Sequence, residues 1–436
     1  MDNPAVICAI VFIAVLVLLT TGIWIAAAIA LVGIILLAFV VGGGKISMVG
    51  MLQFNMLNNF TFTCIPLFIF MGEMILHGQL GDKLYRGASA LVGFLPGGLL
   101  HTNIVSCAFF AAVSGTSMAT AATIGMVAIP EMEKRGYDRK LVLGSLAAGG
   151  TLGILIPPSA AMIVYGMFVG ESIGRLFIGG VFPGLVLAGL FMTYIGVMSL
   201  MRPQLVPSRG KISLRAMLLS VTDIWPFLVL IFLVLGTIYL GLATPTEAAA
   251  MGSVTSILFC AIYRRLNWQV LKAATLAAVQ ITCWLMFIMI GAYVLAMGLS
   301  FLRVPMNLAK WVTAVEIGRV YIFIMVCFLY IVLGCFMDGT SMLLLTITVV
   351  YPVMMSLGFD SVWLGIILVI LQEMGQITPP VGVNLFVIHG ISGKKYFRDI
   401  VMGSIPFFIL MNVMVVILYI FPDLVLWLPG QMIQKF

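Results

Sequence analysis

Charge is what this sequence has least of. Asp, Glu, Lys and Arg make up 8% of its 436 residues, against about 25% in an ordinary soluble domain. With 63% apolar residues and a mean hydropathy of +1.22, too little polar surface exists to clothe a water-soluble fold, and the chain reads as a polytopic membrane protein. Histidine is almost missing: His77, His101 and His389 are too scattered for a proton relay or a transition-metal cluster. The seven Cys include no CxxC pair and no His nearby at zinc spacing, so they read as small apolar membrane residues, and neither a metal site nor a disulfide framework is expected. Neither HExxH nor GxSxG occurs, so no enzyme is expected. A phosphate-binding G-x-x-x-x-G-K-S/T is absent too. The stretch GGGKIS from Gly42 places Ile46 directly after Lys45, so no bound nucleotide supplies energy and no organic cofactor is expected. The opening MDNPAVICAIVF lacks the basic start of a cleaved signal and is expected to be a first span.

What is present is apolar length, interrupted by 45 Gly and 18 Pro, a mixture suited to tightly packed and broken membrane helices. Residues 5–41 carry no charge and are too long for one crossing at ~20 residues each. Thr20-Thr21-Gly22 offers the turn between two. Further spans are expected over 60–76, 141–169, 177–200, 217–240, 246–263, 274–300, 361–388 and 404–426, ten crossings in all. Two apolar stretches remain, near 99–130 and 320–355. The arm 100–113 would be ~21 Å long as a helix, at ~1.5 Å per residue, short of the ~30 Å hydrocarbon core. Ser114-Gly115-Thr116-Ser117 and Asp338-Gly339-Thr340-Ser341 supply polar tips, so both stretches read as re-entrant hairpins. Two ordinary spans are the alternative for each pair, and either way the chain returns to its starting side. Counted on that basis, Lys45, Arg175, Arg303, Lys310, Arg319 and Lys435 share the side of the N-terminus, and the other sixteen of the 22 Lys and Arg lie opposite. The crowded side is cytoplasmic by the positive-inside rule, and both termini are expected on the periplasmic side. This sidedness accounts for the net charge of +7, and no nucleic-acid partner is expected.

The chain repeats itself at an offset of about 222 residues. Ala26-Ala27-Ala28 falls on Ala248-Ala249-Ala250, Asp138 on Asp360, and GILIPPSA (153–160) on GQITPPVG (375–382). Gly115-Thr116-Ser117 falls near Gly339-Thr340-Ser341. Each half then holds five crossings and one hairpin. Five is odd, so the halves enter the membrane in opposite senses, as inverted repeats. Residues 80–95 and 302–315 read as amphipathic arms at the membrane surface, with solvated connectors as the alternative.

Paired prolines inside apolar spans demand an explanation, since proline removes an amide donor and clashes with the preceding turn. Broken backbone is tolerated in lipid only where protein or a watery cavity satisfies it. Two breaks and two polar tips would gather bare carbonyls and hydroxyls near the midplane. Such hard oxygens can replace the hydration shell of Na⁺, and half-helix amino ends can hold an anion. A packed, merely kinked helix is the alternative reading of each Pro-Pro. No Lys or Arg lies mid-span; Arg303, at the outer mouth, is a candidate contact. Asp338 can cap the returning helix or face substrate. Asn384 can be a ligand or a helix–helix hydrogen bond. Gln372, Glu373 and Gln376 make the second break unusually polar and are candidates to tune substrate contact. Glu73, Glu247 and Glu373 lie in or at the ends of spans, where a carboxylate is a functional candidate; Glu73 and Glu247 read instead as groups bonding neighbouring helix ends, and Asp138 and Asp360 as helix caps.

At these residues the chain resembles the large membrane (M-type, DctM-like) subunit of tripartite ATP-independent periplasmic (TRAP) transporters. The motifs are ITPPVGVNLFV (377–387), EKRGYD (133–138), the SGT tip, PTEAAA (245–250) and Met337-Asp338. The resemblance implies an all-α membrane fold of two inverted repeats and an elevator mechanism. Scaffold helices would span 1–78 and 217–301, arm helices 79–98 and 302–318, transport-domain halves 99–200 and 319–436, and a cytoplasmic linker 201–216. It further implies Na⁺-coupled uptake of an organic acid (a C4-dicarboxylate, sialic acid or another sugar acid) across the bacterial inner membrane. The implied partners are a small (Q-type) membrane subunit, an extracytoplasmic (P-type) binding protein and membrane lipids. A stand-alone Na⁺/dicarboxylate carrier with similar hairpins is the alternative. One Na⁺ site would involve Ser114, Ser117, Gly153, Ile156 and Pro158, and its mate Gly339, Thr340, Gly375, Thr378 and Pro380. Thr116, Thr120, Asp338, Ser341, Gln376, Asn384 and Arg303 are the substrate candidates. The first tip departs from the family pattern, since Thr120 stands where an acidic residue is common.

Overall fold

The computed structural model describes residues 4–42, 45–207, 214–314, 318–394 and 396–432, with backbone alone for 214–219. Gly43 and Gly44, the charge-tally residues Arg209, Lys211, Lys395 and Lys435, and parts of the expected linker and outer arm lie outside the described residues. Every described element is helical. Among the described residues nine helices are long and apolar enough to cross a membrane. The uncharged start divides where the turn was expected. Helix Pro4–Thr20 ends as the hydroxyls of Thr20 and Thr21 donate to the carbonyls of Val17 and Leu18, and a second helix starts at Ile25. A helix over Ser47–Leu57 was not expected. Its mixed sequence, SMVGMLQFNML, carries neither a membrane-span length nor a clear polar stripe.

The order of elements repeats. An arm helix, Gly81–Val92 or Val304–Ala314, precedes two packed helices joined by a tip. These are Leu99–Ser114 with Ser117–Lys134, and Arg319–Gly334 with Gly339–Ser356. The paired arms are 16 and 18 residues long in both halves. The returning arm of the first hairpin runs past its expected end, through Pro130 to Lys134. Next come Arg139–Leu155 and Ala160–Val169, answered by Ser361–Gln376 and Val383–Ile391, so both Pro-Pro pairs interrupt helices as expected. A long helix closes each series, Ile173–Met201 and Phe397–Ile420.

Polar residues fix where these helices start. The carboxylate of Asp138 accepts the Leu141 amide, and that of Asp360 accepts the amides of Val362 and Trp363 at 2.8 and 3.0 Å. Both act as the caps expected. Glu247 closes a capping box with Thr244 at the start of its own helix, so it bonds its own helix end and not a neighbour's. Glu73 corrects its reading: it lies 3.4 Å from the His77 ring nitrogen one turn on, not at another helix's end. Asp360→Ala should cost about 1 kcal/mol through loss of the cap. The check is thermal unfolding of the purified protein, where an unchanged midpoint rejects the cap's contribution.

Burial ranks the helices. In Arg139–Val169, 78% of the most apolar window is buried, against 33% in Ser220–Tyr239. Every residue from Leu141 to Leu155, and from Val362 to Gln376, is buried. The helices before the two breaks are therefore the centre of the molecule. Close backbone approach brings them there. A Cβ added at Gly144 would overlap the Gly403 carbonyl oxygen, so only glycine permits that crossing. The arm helix Gly81–Val92 is tied in by a buried chain: the Tyr85 hydroxyl donates to Asn103, whose amide donates to Ser145. At the far end the Tyr165 hydroxyl donates to the Ser361 carbonyl at 2.7 Å.

Candidate functional site at the hairpin tips

The first tip turns on Gly115, whose φ of +64° is the left-handed conformation glycine tolerates. Its missing side chain also lets the tip meet the first break, since a Cβ there would stand 2.8 Å from the Pro158 carbonyl oxygen. One turn before that break, a Cβ on Gly153 would stand 2.6 Å from the Thr116 carbonyl oxygen and 2.8 Å from the Ser117 Cα. Gly184 brings the Ile173–Met201 helix against Ile156 in the same way. So Ser114, Ser117, Gly153, Ile156 and Pro158 come together. Between them the Thr120 hydroxyl donates to the Thr116 carbonyl at 2.9 Å and lies 2.9 Å from the Ser114 hydroxyl oxygen. Thr120 is thus a hydroxyl bridging the two ends of the tip.

The second tip meets the helix before the second break. A Cβ on Gly339 would overlap the Gln372 side chain, and one on Gly375 would stand 2.8 Å from the Gly334 Cα. Asp338 caps the returning arm: its carboxylate accepts the Ser341 amide at 3.1 Å and the Ser341 hydroxyl at 2.5 Å. The Thr378 hydroxyl donates to the Met374 carbonyl at 2.6 Å. The two breaks differ in exposure: Pro157 and Pro158 are buried, Pro379 and Pro380 exposed.

The halves are joined by a residue outside the expected ligand sets. The Ser117 hydroxyl donates to Glu373 at 2.6 Å, linking the first tip to the helix before the second break across 256 residues. Asn384 joins the same cluster. Its side-chain amide donates to the Ala147 carbonyl at 3.4 Å and, with the Ser117 carbonyl oxygen, approaches the Cα face of Gly150. Eight helix ends gather here. Helices ending at Ser114, Leu155, Gly334 and Gln376 present carbonyls, and helices starting at Ser117, Ala160, Gly339 and Val383 present amides. Carbonyl ends suit a cation and amide ends an anion.

The comparison with known proteins decides the family. The sequence profile of the tripartite ATP-independent periplasmic transporter DctM component matches residues 12–424. The C4-dicarboxylate TRAP transporter large permease protein DctM of Pseudomonas aeruginosa is 35% identical, over 86% of this chain and 88% of that one. Its counterpart in Vibrio cholerae is 33% identical over 97% of each. The chain belongs to the DctM family. It is a transporter permease subunit and not an enzyme, and a multi-pass protein of the inner membrane. In solved structures its fold resembles the YdaH transporter of Alcanivorax borkumensis, with a TM-score of 0.57 and 15% identity over 89% of each chain.

In this DctM chain the remaining candidates divide. Thr116, Thr120, Gln376 and Asn384 sit at the gathered helix ends, and Asp338 and Ser341 at the second tip. Arg303 stands apart, exposed in the turn between the Trp268–Phe301 helix and the next. The residue missing from the expected sets is Glu373. Its signals in the sequence were a carboxylate inside a span and the polar neighbours Gln372 and Gln376 at the second break.

Proposed function

We propose that this DctM-family chain couples the inward movement of Na⁺ to uptake of a small organic anion, of the C4-dicarboxylate or sugar-acid class, by an elevator movement. A small membrane subunit completes the membrane part and an extracytoplasmic binding protein delivers the substrate, with both termini periplasmic. The observation that carries this reading is the gathering of eight helix ends at the hairpin tips with no Lys or Arg among the residues that meet there. Carbonyl ends and hydroxyls at the first tip, with Ser114, Ser117, Gly153, Ile156 and Pro158, form one Na⁺ site. Gly339, Thr340, Gly375, Thr378 and Pro380 form its counterpart. The amino ends at Ser117 and Val383 carry no side-chain cap and offer donors for a carboxylate, beside Asn384.

Inverted repeats are supported by direction. Ser117 contacts both Gly153 and Glu373, while Tyr165 reaches Ser361, so the first broken helix ascends as the second descends. The elevator is supported by burial: the first hairpin's Leu99–Ser114 arm and the helices before both breaks form the centre, and the peripheral helices such as Ser220–Tyr239 would form the scaffold. Two Na⁺ falling through 100 mV release roughly 4–5 kcal/mol, which offsets the cost of carrying a dianion inward through the same potential and leaves the Na⁺ concentration gradient as the driving force. The tripartite family favours a binding protein over a stand-alone carrier.

The test is uptake of a labelled C4-dicarboxylate by proteoliposomes holding this chain and its membrane partner. Uptake should require both an inward Na⁺ gradient and the added binding protein. Uptake without added binding protein would favour the stand-alone carrier, and flux that neither saturates nor needs Na⁺ would reject coupling. Thr378→Val should raise the Na⁺ concentration needed for half-maximal uptake, and an unchanged value removes Thr378 from the second site.

A further inference from the structure

Glu373 has no exposed surface. One of its carboxylate oxygens accepts the Ser117 hydroxyl and the other, Oε1, has no hydrogen-bond partner among the described residues. No described Lys, Arg or His forms an ion pair with it. It is not the lone unsatisfied group. Gln376 Oε1, Asn384 Oδ1 and both polar atoms of Gln372 are buried without partners. Residues 372, 373 and 376 share an arc of about 100° on their helix. Gln372 meets the second tip, Glu373 meets the first, and Gln376 falls between them.

Each unpaired buried oxygen is costly, and a bare buried carboxylate far more so. A single N–H or O–H donor would satisfy one of them. A dehydrated cation satisfies several at once and supplies the missing charge. We propose that Glu373, with Gln376 and Asn384, binds Na⁺ at the first hairpin tip, so that the ion's counter-charge comes from the other half of the chain. This deepens the Na⁺-coupled reading and rests on it. The residues assigned to the first site are all from the first half and all neutral; Glu373 is neither. An ion held there bridges the first hairpin and the Ser361–Gln376 helix.

The experiment is thermal unfolding of the purified full chain in detergent, titrated with NaCl against choline chloride at constant ionic strength. The wild type should show saturable, Na⁺-specific stabilisation. Glu373→Gln should raise the half-saturating Na⁺ concentration by about tenfold or more. In choline alone it should melt no lower than the wild type, because the uncompensated charge is gone. A carboxylate with only a structural role predicts the opposite, a lower midpoint in choline and an unmoved titration. Gln376→Leu, which removes one orphaned oxygen and keeps the charge, is the second reporter and should weaken Na⁺ severalfold. A wild type that responds to Na⁺ while both variants keep its half-saturating Na⁺ concentration overturns this proposal alone. A wild type indifferent to Na⁺ overturns the Na⁺-coupled reading with it.

Discussion

Gly153→Val will reduce uptake to background while the protein still inserts and purifies as a folded species. Even the first carbon of a side chain at 153 would stand 2.6 Å from the Thr116 carbonyl oxygen and 2.8 Å from the Thr116 carbonyl carbon and the Ser117 Cα. All three are main-chain atoms of the first tip, so no rotamer change relieves the overlap. Either the tip or the helix end before the first break must withdraw, by roughly the 0.5–1 Å needed to restore ordinary contact between close-packed atoms. The Na⁺ site proposed at this contact would not survive that separation, because each ligand's distance is set by the contact itself. The surrounding helices keep their own packing, so insertion is spared. The control is Gly189→Val in the Ile173–Met201 helix, where a Cβ meets nothing within 4 Å. Uptake by Gly153→Val comparable to that control, at matched protein levels, would show that tip and break need not touch for transport.

Gly144→Leu is expected to remove the folded protein altogether. At this crossing the Arg139–Leu155 helix meets Phe397–Ile420 backbone to backbone. A Cβ on Gly144 would overlap the Gly403 carbonyl oxygen and carbon, and one on Gly403 would overlap the Lys140 carbonyl oxygen. Helices in lipid associate through such close contacts, since the tails around them are as apolar as leucine. Forcing them apart also strips contacts along a helix in which every residue from Leu141 to Leu155 is buried. The cost is about 3 kcal/mol or more, at the upper end of overpacking penalties. Size-exclusion of a detergent extract checks it: the monodisperse peak should vanish for Gly144→Leu and persist for Gly189→Leu. A surviving peak with a wild-type melting midpoint would mean that this crossing is looser than its geometry indicates.

These two sites also show where reading the sequence stops. Pro157-Pro158 and Pro379-Pro380 announced helix breaks because proline acts on its own turn of backbone. Asp138 and Asp360 announced helix starts for the same local reason. Gly144 and Gly403 looked like any of the 45 glycines, because what forbids a side chain there is another helix 259 positions along in one numbering. The Ser47–Leu57 helix escaped because its pattern has no strong period. Glu73 was given the wrong partner because a carboxylate does not name its neighbour.

Hydropathy, proline and the excess of Lys and Arg between particular spans are properties of short stretches acting against lipid. They determined by themselves that this chain crosses a membrane many times, where it breaks, and that its two halves share one order of elements. Which breaks and tips touch depends on long-range packing. Only the tertiary structure decided that Ser117 meets Glu373, that the first Pro-Pro is buried while the second is exposed, and that Thr120 bridges its own tip. The reason is physical: a buried polar group must find its partner in space, and local sequence sets only what that group can accept or donate.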